Sequence, residues 1–294
     1  MTSATTPERS LFALHNRISS IIRWCAFVGA LVAGVPAAVS AQQATSTLRE
    51  MAKENDARVW QAVGRLDAEE IGFCTATLIS PEFVLTAAHC VYSRETGAQI
   101  PSGSMTFRAG LRNGNASAER AVVQVEAHPG YDPANPLVIE NVRYDVALLR
   151  LAEPVPTTVL DPFVVHDRPV SSGPVSVVSY GMDREKLPSR QDLCEVQAAR
   201  DGIMVMNCDA TFGSSGAPVF RHVNGRGQIV SVISGGGTYN GQQVTYGMVL
   251  PKLVRELKQR MWANKPRPVA TISRVQVSSG TSAARDTGAK FVRP

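Results

Sequence analysis

The sequence predicts an all-β protein with one helix near its C-terminal end. From Trp60 onward, short apolar runs rich in β-branched residues alternate with Gly, Pro, Asn and Asp, which is typical of strands in a β-sandwich or barrel. Segment 251–262 differs, because its apolar residues recur at helical spacing and Pro251 suits the first helical turn. We expect this helix to dock on the second half of the chain.

The predicted strands fall into two groups, separated by a proline-rich seam at 152–170. They cover 73–79, 83–88, 121–125, 146–151, 175–180, 229–233 and 244–250. The seam divides the body of the chain into an N-terminal half, 59–160, and a C-terminal half, 161–262. Each half is therefore expected to form its own β structure.

Composition and charge exclude several classes of protein. Hydrophobic residues make up 44% of the chain and charged residues 19%, which is enough apolar material for a sizeable core and excludes a wholly disordered chain. The net charge is +5, but nine of the 30 basic residues lie at the two ends, in 1–41 and 265–294. Residues 42–264 hold 21 basic against 23 acidic residues. The body thus lacks the basic excess of a nucleic-acid-binding protein, and no nucleic-acid partner is expected.

Residues 1–41 have the organisation of a secretory signal peptide. Three arginines precede the apolar run 24–35, and small residues at 39–41 suit cleavage before Gln42. We therefore expect a secreted or periplasmic protein with no stable membrane insertion after cleavage. The alternative is a retained membrane anchor over 24–41, although a proline and a serine interrupt that stretch.

The mature chain is expected to begin and end with polar segments. Residues 42–58 are polar and tolerant of helix, which indicates a lead-in or a pro-segment. Residues 263–294 are rich in Pro, Ser, Ala and Arg, which is typical of a basic mobile tail, with one more strand at 269–277 as the alternative.

Four cysteines remain once the signal segment, with Cys25, is removed. They are Cys74, Cys90, Cys194 and Cys208. An even number in an exported protein favours two disulfides, but the count leaves three connectivities open. Since the cysteines are expected in bridges and no His, Cys and Asp cluster has zinc spacing, no metal is expected.

Three short motifs carry chemistry. Ser215 lies between glycines in GSSGAP, where a tight turn can expose its hydroxyl and let backbone N–H groups converge, although such clusters are also ordinary turns. His89 ends the strand-like run in TAAHC, and Asp145 heads the apolar run in DVALL. A partly buried carboxylate needs a hydrogen-bonding partner, which an imidazole N–H supplies.

The three motifs together favour nucleophilic catalysis. A hydroxyl near neutral pH needs a base, and histidine is the side chain suited to that role. The imidazole must in turn be held in one tautomer, which a buried aspartate achieves. The order His, Asp, Ser along the chain is one of the orders known for such triads.

TAAHC, DVALL and GSSGAP resemble the three signature blocks of the trypsin/chymotrypsin family of serine endopeptidases, and the resemblance covers residues 60–262. It implies two antiparallel six-stranded β-barrels with a C-terminal α-helix and the site in the cleft between the barrels. It also implies that His89 is the general base, Asp145 the orienting acid and Ser215 the nucleophile.

The same resemblance implies further roles. The backbone N–H groups of Gly213 and Ser215 would form the oxyanion hole, and a Cys74–Cys90 bond would pin the histidine loop. The segment 128–131, HPGY, also resembles a segment common in the family. No cofactor is implied.

Two departures from trypsin matter. Ser214 precedes the serine of GSSGAP, where trypsin-type zymogens carry an aspartate that receives a newly cut N-terminus, so activation by that switch is not expected. A Cys194–Cys208 pair, ending seven residues before Ser215, resembles the bacterial glutamyl-endopeptidase-like branch. The nearest relatives are therefore expected among exported bacterial trypsin-like peptidases.

Substrate specificity rests on two further segments. Asp209 lies six residues before Ser215, and in the trypsin subgroup this offset implies a pocket base that selects Arg or Lys. The alternative is that Asp209 caps a turn. Ser234, Gly235 and Gly236 resemble the pocket wall that binds the substrate backbone. The glutamyl-endopeptidase-like branch carries a histidine near this position, and because none lies near Ile233 here, the resemblance disfavours a preference for glutamate.

The sequence therefore predicts an exported, monomeric serine endopeptidase that acts on protein or peptide substrates through an acyl-enzyme, without metal or organic cofactor. The main alternative is a non-catalytic binding module on the same scaffold.

Overall fold

The computed structural model describes residues 45–136 and 138–265. The predicted signal peptide, the tail beyond 265 and the alternative strand at 269–277 lie outside the described residues. The strands are β1 Arg49–Glu50, β2 Val63–Ala68, β3 Gly72–Leu78, β4 Phe83–Thr86, β5 Met105–Ala109, β6 Ala118–Ala127, β7 Ala147–Leu151, β8 Gly173–Gly181, β9 Arg184–Arg200, β10 Ile203–Met206, β11 Pro218–Val223, β12 Arg226–Tyr239 and β13 Gln242–Met248. The α-helices are α1 Glu54–Ala57 and α2 Leu250–Ala263, and the 3₁₀ helices are Arg58–Trp60, Ala88–Val91, Ser102–Ser104 and Ile139–Tyr144.

The first six-stranded barrel is closed, in the order β2-β3-β4-β7-β6-β5. Strands β2, β5 and β6 alternate buried and more exposed residues, as the wall of a filled barrel does, whereas β3, β4 and β7 are buried along most of their length. On β2, for example, Leu66 lies in the core while Arg65 and Asp67 point outward and form an ion pair of 2.7 Å. Closure of the ring leaves no unpaired strand edge in this half.

The second half forms a seven-stranded sheet in the order β1-β9-β10-β13-β12-β11-β8, in which β8 also pairs with β9. This extra pairing closes six of the strands into a ring, and β1 is added to the outside of β9. The predicted all-β fold of two barrels with a C-terminal helix is thereby confirmed.

The described part of the lead-in, residues 45–58, is integrated into the fold. β1 pairs with β9, and Met51 and Ala57 are each only 3% exposed. Arg112 of the first barrel donates hydrogen bonds to the carbonyl oxygens of Met51 (2.6 Å) and Ala52 (2.7 Å). This segment therefore ties the two halves together.

Helix α2 begins and ends close to the prediction, but its docking surface differs from the expectation. It packs against β6 and β7 of the first barrel as well as β12 of the second. Trp262 contacts Phe83 edge to face at 5.6 Å, and Gln124 donates a hydrogen bond to the Met261 carbonyl oxygen (3.1 Å). The helix thus bridges the halves, and its buried apolar residues pack into the same core as those of the first barrel. None of the helices within 45–136 and 138–265 is long and apolar enough to cross a membrane.

Candidate active site

A cavity of about 660 Å³ lies between the two barrels. Its walls come from both halves, and the residues predicted to carry chemistry converge on it. They are His89, Asp145, Ser215, Ser234, Gly235 and Gly236. Open clefts between two rigid units, with a few polar groups converging on them, are the usual place for an active site.

Asp145 and His89 form the most tightly connected part of this cavity. Asp145 follows the 3₁₀ turn before β7 and is only 3% exposed. Its Oδ1 accepts a hydrogen bond from the His89 backbone N–H (2.8 Å), and its Oδ2 lies 2.7 Å from His89 Nδ1. The Ser234 hydroxyl also donates to Oδ2 (2.5 Å). The buried carboxylate is therefore satisfied at both oxygens and fixes the orientation of the imidazole ring.

The histidine lies on the short 3₁₀ turn after β4, which a disulfide holds in place. Cys90, next to His89, is bonded to Cys74 on β3. The second disulfide joins Cys194 on β9 to Cys208. The cysteine sulfurs lie within 4.8 Å of a His89 nitrogen, but since both are bonded to each other they offer no thiolate to a metal ion.

Ser215 lies in a loop between β10 and β11 in which two glycines have positive φ. Gly216 has a φ of 77°, and a Cβ there would lie 2.3 Å from the carbonyl oxygen of Thr75. Gly213 has a φ of 88°, and a Cβ there would enter the ring of Phe73. Only glycine permits this close approach of the loop to β3, and the approach is what places Ser215 in the wall of the cavity.

The backbone of this loop leaves two N–H groups available for an oxyanion. Ser214 N–H donates to the Thr211 carbonyl oxygen (2.9 Å), and Gly216 N–H donates to that of Ile233 (2.7 Å). Among the hydrogen bonds of the described part of the chain, none uses the N–H of Gly213 or of Ser215. Backbone N–H groups without a partner are the kind of donor that can bind an oxyanion.

Thr75 on β3 is a residue that the sequence analysis missed. It is fully buried, and its Oγ1 donates a hydrogen bond to the Gly213 carbonyl oxygen (2.8 Å). Its N–H donates to the carbonyl oxygen of Ser215 (2.9 Å). Thr75 therefore fixes the loop of the second barrel to the first barrel on both sides of Ser214. A lone threonine within an apolar strand gives no sequence signal for this role.

The cavity also has aromatic walls that were not predicted as functional. Tyr131, from the HPGY segment, packs against Tyr92 with ring centroids 5.7 Å apart. Burial raises the pKa of the Tyr131 hydroxyl, and the charge of Asp145 raises it further, so this hydroxyl stays neutral. On the opposite wall Phe212 is 67% exposed, with the Arg94 guanidinium 6.0 Å from its ring centroid.

The structure does not bring Asp209 to the cavity. This residue is exposed, and its carboxylate accepts a hydrogen bond from the Gln191 side chain (3.2 Å) while its N–H donates to Gln191 Oε1 (2.7 Å). The positions nearest to it in the cavity wall are Ala210, Thr211 and Phe212. The hydrogen bonds with Gln191 hold Asp209 toward β9. The Cys194–Cys208 bond ties the same part of the chain to that strand.

Two closed β-barrels with a serine, an imidazole and a buried carboxylate on one cleft define the class of double-barrel serine hydrolases. The profile of the family described as Trypsin matches residues 50–252, which is more than half of the chain. The chain therefore belongs to the trypsin family, and it is a serine endopeptidase.

Individual relatives agree with this assignment. The chain is 29% identical over 193 residues to a trypsin of Simulium vittatum, which covers 56% of this chain and 71% of that protein. It is 26% identical to a glutamyl endopeptidase of Bacillus licheniformis, over 64% of this chain and 58% of that protein. A match to the CLIP domain-containing serine protease HP8 of Bombyx mori is 34% identical but spans only 29% of that protein.

A solved structure of a Glu endopeptidase in complex with MPD superimposes with a TM-score of 0.60. It covers 74% of this chain and 97% of that chain at 18% identity. At this level of identity the likeness establishes the double-barrel fold alone.

Proposed function

We propose that His89, Asp145 and Ser215 form a catalytic triad that hydrolyses peptide bonds through an acyl-enzyme. The observation that carries this proposal is the double contact of Asp145 with His89, by the backbone N–H (2.8 Å) and by Nδ1 (2.7 Å), inside a cavity that Ser215 also lines. With Nδ1–H donated to Asp145, the Nε2 atom is left as the acceptor, which is the tautomer a general base requires.

In the first half of the reaction, Ser215 Oγ attacks the carbonyl carbon of the scissile bond while His89 Nε2 takes its proton. The carbonyl oxygen becomes negatively charged and is bound by the N–H groups of Gly213 and Ser215. His89 then gives the proton to the leaving nitrogen, the C–N bond breaks, and the amine product departs. The acyl group remains on Ser215 as an ester.

Water completes the reaction in the reverse order. His89 takes a proton from the water as its oxygen attacks the ester carbon, and the second tetrahedral intermediate uses the same two N–H donors. Collapse of this intermediate returns the proton to Ser215 Oγ and releases the carboxylic acid. Asp145 stabilises the imidazolium in both halves, because its buried charge lies 2.7 Å from Nδ1.

The primary specificity pocket is proposed to lie between the segments 210–212 and 234–236. Both segments line the cavity next to Ser215, and the small residues Ala210, Gly235 and Gly236 leave its interior open. The position of Asp209 outside this lining gives no support to a preference for Arg or Lys. We therefore propose endopeptidase activity without assigning that preference.

The protein is proposed to act outside the cytoplasm, in the periplasm or medium. The two disulfides support this location, since such bonds persist in oxidising compartments. Mass spectrometry of the N-terminus of the mature protein tests it. A start at Gln42 is expected, whereas a start before the apolar run 24–35 would mean that the segment is kept as an anchor.

The activity is tested by digestion of an unfolded protein substrate with the purified protein, Ser215→Ala and a Ser104→Ala control. Ser104 is an exposed serine in a 3₁₀ turn away from the cavity. We expect cleavage by the wild type and the control, and none by Ser215→Ala. A folded wild type that cuts nothing would favour the binding module, and an active Ser215→Ala would refute the nucleophile assignment.

A further inference from the structure

The loop that carries Ser215 is contacted by a side chain that the proposed mechanism does not use. Arg184 begins β9, directly after the tight turn that joins it to β8. Its guanidinium donates to Ser214 Oγ (2.9 Å) and to Thr211 Oγ1 (3.4 Å), and also to the carbonyl oxygen and hydroxyl of Ser179 (2.9 and 3.1 Å). Ser214, the residue before the nucleophile, is fully buried.

The turn between β8 and β9 is shaped to hold this guanidinium. A Cβ on Gly181 would lie 2.5 Å from Arg184 Nη2, so only glycine leaves the space. The same turn touches the loop a second time, through the Met182 N–H, which donates to the Phe212 carbonyl oxygen (2.7 Å). Hydrogen bonds thus join the turn to three residues of the loop, Thr211, Phe212 and Ser214.

These contacts determine where the oxyanion donors point. In a trans peptide the C=O and N–H groups point in opposite directions. Met182 binds the Phe212 carbonyl and so directs the N–H of the same peptide, that of Gly213, to the other side. The Ser214 carbonyl oxygen is bound by the Ala217 N–H (2.9 Å), which directs the Ser215 N–H likewise.

Arg184 fixes the side chain at the centre of this arrangement. Ser214 Oγ accepts from the guanidinium and from the Thr211 N–H (3.2 Å), and donates to the Tyr180 carbonyl oxygen (3.3 Å). Among the described residues, no carboxylate lies within ion-pair distance of Arg184. Burial lowers the pKa of its guanidinium, and the more distant charges of Asp209 and Glu185 offset part of this effect. A half-buried arginine keeps its charge, so the neutral oxygens of the turn and loop are its partners.

We propose that Arg184 is a positioning residue that holds the oxyanion loop in its competent conformation through Ser214. The hairpin β8–β9 would then supply, from within the chain, the cation that fixes the side chain of residue 214. This inference rests on the proposed function, since it concerns the oxyanion hole of that same site.

The test compares Arg184→Met and Arg184→Lys with wild type and with Arg120→Met. Arg120 is a matched control, because it is also half-buried and donates to a neutral backbone oxygen, that of Glu119 (2.8 Å), outside the loop and the cavity lining. For each protein kcat and KM are measured on a peptide substrate, with the inhibition constant of a peptide aldehyde, whose adduct places an oxyanion in the hole. Thermal unfolding identifies the variants that remain folded.

For Arg184→Met we expect kcat to fall by about 10- to 100-fold with KM within about threefold, since a misdirected donor removes stabilisation of the transition state only. Aldehyde affinity falls in parallel, and Arg184→Lys recovers part of both. If Arg184→Met does not fold, Arg184→Lys tests the proposal in its place, and a lower kcat with a nearly unchanged KM is expected there too.

Unchanged kcat and aldehyde affinity in folded Arg184→Met, or a rise of KM alone, would overturn the inference. So would an equal loss of kcat in Arg120→Met. A folded wild type with no activity would instead refute the proposed function, and the inference with it.

Discussion

Asp145 shows how burial and hydrogen bonding of a single residue fix the orientation of an imidazole. A carboxylate that is 3% exposed needs hydrogen bonds to its oxygens, and here three donors from two residues supply them. Two of the donors belong to His89, so the hydrogen bonds that satisfy the carboxylate also orient the imidazole. Ser234 closes the arrangement from the second barrel, although the sequence indicated it only as part of a pocket wall.

Replacement of Asp145 by asparagine removes the negative charge and keeps the size of the side chain. The amide NH₂ cannot accept from His89 Nδ1–H, so the imidazole adopts the tautomer with its proton on Nε2. We expect kcat to fall by about 10³- to 10⁴-fold. The measurement is kcat on a peptide substrate for Asp145→Asn and wild type, with thermal unfolding as the control for folding. A folded variant with kcat near wild type would contradict the orienting role.

Some site residues could be predicted from sequence and others could not. His89, Asp145 and Ser215 each lie in a motif whose residue types fit a known chemistry, so three separate signals support one another. Thr75 and Arg184 have no such motif, because they act by contacts with the backbone or hydroxyls of a distant loop. Those contacts arise only when β3 and the β8–β9 turn fold against residues 211–216.

At the element scale, the turn that carries His89 depends on its disulfide. The Cys74–Cys90 bond closes a sequence separation of 16 residues between β3 and the 3₁₀ helix Ala88–Val91. In the chain-entropy description a loop of that size is worth about 3 kcal/mol.

We therefore expect the double variant Cys74→Ala/Cys90→Ala to lose about 3 kcal/mol in free energy of unfolding. Denaturant unfolding measures this loss. The comparison is Cys194→Ala/Cys208→Ala, whose bond spans a nearly equal separation of 14 residues. Its removal should lower the free energy of unfolding by about as much. An unfolding midpoint that does not change in either variant would show that the bonds do not stabilise the fold.

The strands differ in how well their sequences predict them. Buried runs such as those in β3, β7 and β8 are apolar and β-branched, and all seven predicted runs contain a strand. β9 was missed over its 17 residues because polar residues and a proline break its apolar pattern. β2 and β5 were missed for a related reason: their outward-facing Arg65, Asp67 and Arg108 interact with one another across the sheet surface.

At the scale of the whole molecule, the cavity exists only because two barrels are held face to face. The lead-in, helix α2 and the Thr75 contacts all cross between the halves, and they hold the two walls of the cavity together. Sequence patterns indicated two halves but not these crossings, since the partners of a helix face or of a polar lead-in are set by the packing of distant segments.

The position of Asp209 gives a prediction about specificity. Because Asp209 lies outside the cavity lining, Asp209→Ser should leave the residue preference before the scissile bond unchanged in a peptide library. Gly236→Val is the comparison, since a side chain there has room to form, 3.6 Å from the nearest backbone oxygen, and would fill the pocket. It should shift the preference toward small residues. Loss of an Arg or Lys preference in Asp209→Ser would place the aspartate in the pocket.

The proposed activation of Ser215 by His89 and Asp145 can be measured by covalent labelling of the folded protein with a fluorophosphonate, followed by mass spectrometry of the modified peptide. We expect one label, on Ser215, which is lost in Ser215→Ala and forms more slowly in Asp145→Asn. A label on another serine, or a folded wild type that does not react, would show that Ser215 is not activated.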